Sequence, residues 1–316
     1  MDPERTPATS VGARNAPPAA GMAGSDFLLV ALGAVLWGTG GLAGATIAAR
    51  GVDMLTVATL RLGIGGGTLL LALALAGRLR SLPRTRVAAR RLAVTGALAA
   101  VYQACYFLAV QLTSVGVATF VALGAAPVIV AAVTAVRTRS VPDGRTRAAI
   151  VLALAGLALL VSPGSAAPAG AVLALVAAGA FAAMTLVNRV PVAGLDSLTL
   201  TGVSFSLGAV LLAPMALLTA SGGLPTGPDG WLTVAYLGIG PTALAYTAFF
   251  AGLRTVPSTT ASLLALLEPL TAAVGAYLLR GESLGGAGVL GAVLLAWAVV
   301  VLRPRRVSPT MAAGLH

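Results

Sequence analysis

The side chain with the most chemistry in this chain is a carboxylate in the middle of a long apolar run. Glu268 stands within STTASLLALLEPLTAAVGAYLLRGE, residues 258–282, and no other acidic residue falls inside such a run. A charge in hydrocarbon costs several kcal/mol unless it is paired, hydrated or neutralised, so its position marks function by default. The functional reading is a group that binds a coupling proton or a cationic part of a substrate. The plainer reading is a structural carboxyl hydrogen-bonded to a neighbouring helix. Ser258, Ala261, Ala265, Glu268, Ala272 and Gly275 recur at steps of three and four, which places them on one helix face with the leucines elsewhere. Pro269 removes a backbone donor and is expected to bend that helix, and Pro127 holds a comparable place in an earlier run. Both are read as hinges.

Arg61 is the intramembrane cation. It lies eight residues into its run, about 10 Å from the end at 1.5 Å per residue. Two readings stay open: it snorkels to the headgroups, or it faces a cavity and meets a substrate carboxylate or Glu268. Tyr102, Tyr106, Tyr246 and Trp37 offer rings and hydroxyls to the same cavity, and Gln103 is a polar residue expected to face the bundle interior. These six residues, Glu268, Arg61, Tyr106, Tyr246, Gln103 and Trp37, form the candidate substrate- and proton-binding set. Asn188, Asp53 and Asp196 fall at helix boundaries, where capping or turn formation explains them, and Glu282-Ser283 is expected to cap the last helix. Gly40-Gly41 and Gly65-Gly66-Gly67 permit close helix contact, and no catalytic lysine follows them as a phosphate loop requires.

The elements that must hold these residues follow from composition. Hydrophobic residues make up 58% of the 316 and charged residues 9%, with a mean hydropathy of +0.97. A soluble domain carries about 25% charged residues, so lipid is the solvent expected here. Ten apolar runs approach or exceed the roughly 20 residues a spanning helix needs. They cover 27–49, 54–76, 90–112, 114–136, 148–162, 169–188, 197–219, 230–253, 257–279 and 284–303. None alternates as a lipid-facing strand does, so the fold class is an all-α polytopic membrane protein. By the same rise, Glu268 sits about 16 Å deep in a ~30 Å core.

Arginine sets the expected orientation. With the N-terminus inside, seventeen arginines fall on the inner side and only Arg50 and Arg280 outside, which places both termini in the cytoplasm. The net charge of +11 is therefore topogenic and lipid-facing rather than a nucleic-acid footprint. One cysteine, Cys105, and one histidine, His316, supply no metal cluster and no disulfide framework. No cofactor and no metal are expected.

The chain also repeats. A shift of 142 places Phe107 on Phe249, Thr113 on Thr255 and Pro127 on Pro269; a shift of 143 places Gly51, Asp53 and Gly65 on Gly194, Asp196 and Gly208. Five helices per repeat is an odd number, so the second copy enters the membrane from the other side. Such a five-plus-five inverted repeat is the signature of alternating-access carriers with a site near the midplane.

The blocks Tyr102–Pro127 (YQACYFLAVQLTSVGVATFVALGAAP) and Tyr246–Glu282 (YTAFFAGLRTVPSTTASLLALLEPLTAAVGAYLLRGE), with Trp37-Gly38 and Arg61, resemble the EamA-like family of the drug/metabolite transporter superfamily. The resemblance implies ten helices in the cell membrane and the export of amino acids, other metabolites or toxic compounds. The chain departs from the family in having Ser140 where a glutamate matching Glu282 often stands, and Ala126 at the place of Glu268. It also lacks the first-helix glutamate of the small multidrug-resistance relatives. The expectation is a secondary-active exporter of small metabolites, coupled to a proton or electrochemical gradient, with multidrug or toxic-cation efflux as the alternative and a non-transporting subunit behind both. It is not expected to be an enzyme. Its domains are a disordered tail over 1–26, repeats over 27–162 and 169–303, and a tail over 304–316. Its partners are the bilayer, a small-molecule substrate and, in a homodimer, a second copy.

Overall fold

The computed structural model describes residues 24–161, 167–219 and 223–304. Of the two expected tails, 1–26 and 304–316, residues 1–23 and 305–316 lie outside the described residues, as does the Ser162-Pro163-Gly164 end of the fifth run. Among the described residues, ten helices are long and apolar enough to cross a membrane. They are α1 (Gly24–Ala48), α2 (Met54–Leu75), α3 (Arg86–Leu112), α4 (Val115–Thr138) and α5 (Gly144–Val161). The second five are α6 (Pro168–Asn188), α7 (Ser197–Thr219), α8 (Gly227–Gly252), α9 (Ser258–Arg280) and α10 (Gly285–Leu302). The protein is a multi-pass membrane protein, and its outward side chains fit that solvent: Leu75, Leu217, Leu218 and Leu279 stand largely exposed on the outside of the bundle.

Short polar residues start the helices by occupying orphan N–H groups. Asp53 accepts from the Thr56 N–H at 2.9 Å, and Asp196 from the Thr199 N–H at 2.9 Å. Thr85 and Ser114 do the same for α3 and α4. Asn188 is not a cap: it is buried in the last turn of α6, where its Oδ1 accepts the Thr95 hydroxyl at 3.1 Å across to α3. Glu282-Ser283 does not cap α10 either. That helix starts after Leu284 without a side-chain cap, because Gly281, at a φ of 67°, turns the chain back over the end of α9 and the Glu282 N–H bonds to the Ala276 carbonyl.

Packing reproduces the repeat. Helix α1 packs on α8 and α9, and its counterpart α6 packs on α3 and α4. Helix α2 packs on α7 and α8 while α7 packs on α2 and α3, and α5 pairs with its counterpart α10. Every one of these contacts recurs when each helix is replaced by the one five further on, as an inverted five-plus-five repeat requires. The local structure repeats too: Gly51 and Gly194 both adopt a positive φ, of 79° and 74°, two residues before the capping aspartates. Gly66 lets α2 meet α7, since a Cβ there would stand 2.5 Å from the Ser206 nitrogen. Gly67, expected in the same role, faces open space because it lies on the exposed side of α2.

Candidate functional site

Glu268 owes its place to a break in α9. Pro269 has no N–H for the Ala265 carbonyl, and that carbonyl instead accepts from the Glu268 N–H at 3.0 Å, one residue short of the helical partner. The Leu266 N–H likewise reaches back only three residues, to Leu263, at 3.1 Å. The helix is thus divided into Ser258–Leu264 and Leu267–Arg280. Pro127 behaves differently, because α4 runs through it unbroken from Val115 to Thr138. The stripe of small residues holds in the second half of α9, where Ala272 and Gly275 lie against Gly41 and Leu42 of α1. The first half is buried on every face, leucines included, which the stripe did not foretell.

Gly38 of α1 is what brings the carboxylate this close. A Cβ at Gly38 would stand 2.5 Å from the Glu268 carbonyl oxygen and 2.5 Å from Thr271 Cβ. One residue earlier on α1, Trp37 packs against Tyr246 (4.6 Å between rings), Phe249 (5.0 Å) and Phe181 (5.8 Å). Such tilted and edge contacts are the favoured aromatic geometries. Phe205 closes on the far side of Tyr246 at 4.6 Å. These rings fill the bundle on the arginine-rich side of Glu268.

Arg61 does not snorkel. Its Nε donates to Thr242 Oγ1 on α8 at 3.0 Å. Thr242 is available because α8 contains a π turn, Ile239–Leu244, built around Pro241. Pro241 leaves the Leu237 carbonyl without its helical donor. The Thr242 hydroxyl supplies one, donating to Leu237 O at 2.8 Å, and its lone pairs are then turned to Arg61. With Nε so engaged, the two Nη groups have no protein partner among the described residues.

Glu268, Arg61, Trp37, Gln103, Tyr106 and Tyr246 all line one cavity of about 260 Å³. Tyr102 of α3 lines it as well, and the sequence missed two further features. Phe181 of α6 completes the aromatic wall, and Thr242 holds the arginine; a proline followed by a hydroxyl residue inside a span was the signal for the last. Tyr106 is fixed by a 2.8 Å hydrogen bond to Thr119 of α4 and stacks on Tyr102 at 6.0 Å. Trp37 Nε1 is buried without a partner. Glu268 and Arg61 face the cavity without a direct ion pair between them, and Glu268 accepts no protein hydrogen bond among the described residues. The cavity runs from Glu268 and Tyr246 out to Ala48, Met54 and Val115, so it opens at the end where α1 joins α2 and α3 joins α4. The two charges have no symmetric mates: Ser204 stands at the place of Arg61, and alanine (Ala125 or Ala126, at either offset) at that of Glu268.

Such a chamber offers a cation fork, an acceptor and apolar rings to one small molecule with charged and apolar parts. A sequence model of the EamA-like transporter family matches residues 25–162 and again 168–303. An uncharacterized transporter of Bacillus subtilis (strain 168), YwfM, is 33% identical over 293 residues, covering 91% of this chain and 97% of that protein. An uncharacterized transporter of Archaeoglobus fulgidus is 31% identical over 200 residues, covering 61% and 71%. Protein PecM of Dickeya dadantii is 33% identical over 116 residues, covering 35% and 37%. A protein solved by crystallography shares the fold with a TM-score of 0.74, at 22% identity over 88% of this chain and 96% of that one.

Proposed function

Because the chain belongs to the EamA-like transporter family, we propose that it is a secondary-active exporter of small metabolites, amino acids or related compounds, working by alternating access. The observation that carries this reading is the convergence of six residues from both repeats on one cavity, with Arg61 and Glu268 in its wall. Arg61, its Nη groups free, binds a substrate carboxylate as a fork. Glu268 exchanges a proton or accepts a cationic group, and so couples export to the proton or electrochemical gradient. The Arg61 and Glu268 side chains thereby suit a zwitterion. The chain lies in the cell membrane with its arginine-rich end and both termini in the cytoplasm, so the conformation described here is open outwards.

The test compares small molecules outside cells carrying the intact chain with those outside cells carrying Glu268→Gln. A compound bearing a carboxylate should accumulate outside only with the intact chain, and identical exported pools would sink the reading. Efflux of organic cations is the second reading, favoured by the aromatic walls around an unpaired carboxylate. It predicts instead that the intact chain protects cells against toxic lipophilic cations and that Arg61→Gln keeps that protection.

A further inference from the structure

The two repeats are built alike but do not end alike. Ser114 and Pro257 occupy the same place before α4 and α9, so Val115–Val121 corresponds to Ser258–Leu264 at an offset of 143. All seven residues of Ser258–Leu264 are buried. Of Val115–Val121 only Val117 and Ala118 are. At the arginine-rich end Ser258–Leu264 packs on α4, α5 and α6, whereas the start of α4 makes no such packing on α1 among the described residues. One end of the bundle is shut where the other gapes.

A small pocket of about 40 Å³ remains at the shut end, and its lining repeats that of the large cavity. At the offset fixed by Gly51 and Gly194, cavity residues Ala45, Ala48, Met54 and Val57 fall on pocket residues Asn188, Pro191, Ser197 and Leu200. Two arginines tie the rim. Arg91 Nη1 donates to Val190 O at 2.5 Å, joining α3 to the turn after α6. Arg189 Nη1 donates to Arg254 O at 2.8 Å, joining the ends of α6 and α8. The shut end is also unusually polar inside. Ser258, Thr259, Thr260 and Ser262 are buried, and Asn188 Nδ2 and Ser204 Oγ are buried without partners. Buried polar groups without partners are costly, and that cost disappears once water reaches them.

We propose that this pocket is the second mouth of the transport pathway, closed by Ser258–Leu264 and latched by Arg91 and Arg189, through which the substrate enters the central cavity. The inference rests on the alternating-access reading and adds to it the place of the other opening and the groups that hold it shut. The hydroxyls of Ser258–Leu264 are then the water-facing lining of the open mouth. Arg91, Arg189 and Arg254 at its rim favour the same carboxylate-bearing molecule that Arg61 receives deeper in.

Thiol labelling tests this without any substrate. In a Cys105→Ser background, Thr260→Cys is exposed to an impermeant maleimide from the arginine-rich side of reconstituted vesicles. Replacing Arg91 or Arg189 by alanine should speed its modification roughly five-fold per latch, the equilibrium effect of one lost hydrogen bond. In a second variant carrying Val115→Cys as well, prior modification at the opposite side with a bulky maleimide wedges the open mouth and should abolish the increase. No increase, or one that survives the wedge, would overturn the proposal, the latter showing local loosening only. An unchanged Tm in detergent reports that each variant is folded. Exclusive labelling of the two mouths in a protein that moves no metabolite would count against the transporter reading and leave the second mouth standing.

Discussion

A single hydroxyl decides how Arg61 is presented. The Thr242 hydrogen is committed to Leu237 O, so the oxygen can only accept, and it accepts Arg61 Nε. Thr242→Val keeps the shape and removes both bonds, and should raise KM about tenfold with a smaller change in the maximal rate. Thr242→Ser should restore most of the loss, which a packing role would not predict. Arg61→Lys should also raise KM, because one ammonium cannot reproduce a planar fork; normal KM in both Arg61→Lys and Arg61→Gln would end its role in recognition. For Glu268 the discriminating variant is Glu268→Gln in vesicles with an imposed pH gradient. It should lose gradient-driven accumulation and keep downhill exchange. Uphill accumulation by that variant would reduce the carboxyl to a structural acceptor.

At the scale of the helix, close approach is the controlling quantity. Gly38→Ala drives a methyl against the Glu268 carbonyl and Thr271, and overpacking of this kind costs about 1–3 kcal/mol. A lower Tm in detergent should accompany loss of transport, while Gly67→Ala, whose Cβ meets nothing, should change neither. Helix α7 carries a pH-dependent start. Burial pushes the Asp196 carboxyl up, but the Thr199 bonds and Arg78, 2.6 Å away, outweigh it and hold the group below the usual aspartate range. A depressed carboxyl contributes stability that is full above its unfolded pKa and is lost as pH falls through the lowered one. Asp196→Ala should therefore cost about 1 kcal/mol near neutrality and progressively less below about pH 4, read as Tm against pH. The spans themselves were legible because length and apolarity alone define them, and Arg61 and Glu268 because charge in hydrocarbon is rare. The π turn at Pro241 and the unequal burial of Ser258–Leu264 and Val115–Val121 were not. Each depends on which distant helix arrives at the segment, and local periodicity carries no record of that.

Among the described residues the arginines outside the spans gather at one end, with Arg50 and Arg280 at the other, where Arg280 binds the Leu42 carbonyl at 2.8 Å. A cysteine replacing Arg50 in the Cys105→Ser background should react with an impermeant reagent applied to intact cells, and one replacing Arg80 should not; the reverse pattern would invert the orientation. The unmatched charges of the cavity carry a consequence for assembly. A pair of identical, oppositely inserted halves would present each charge twice, whereas here the counterpart of Arg61 is Ser204 and that of Glu268 is alanine. Each of the two charges is thus held by one half alone. Each half lacks what the other holds, and carrying both in one polypeptide fixes a one-to-one ratio and a reliable opposition of insertion that separate halves would have to find anew at every assembly.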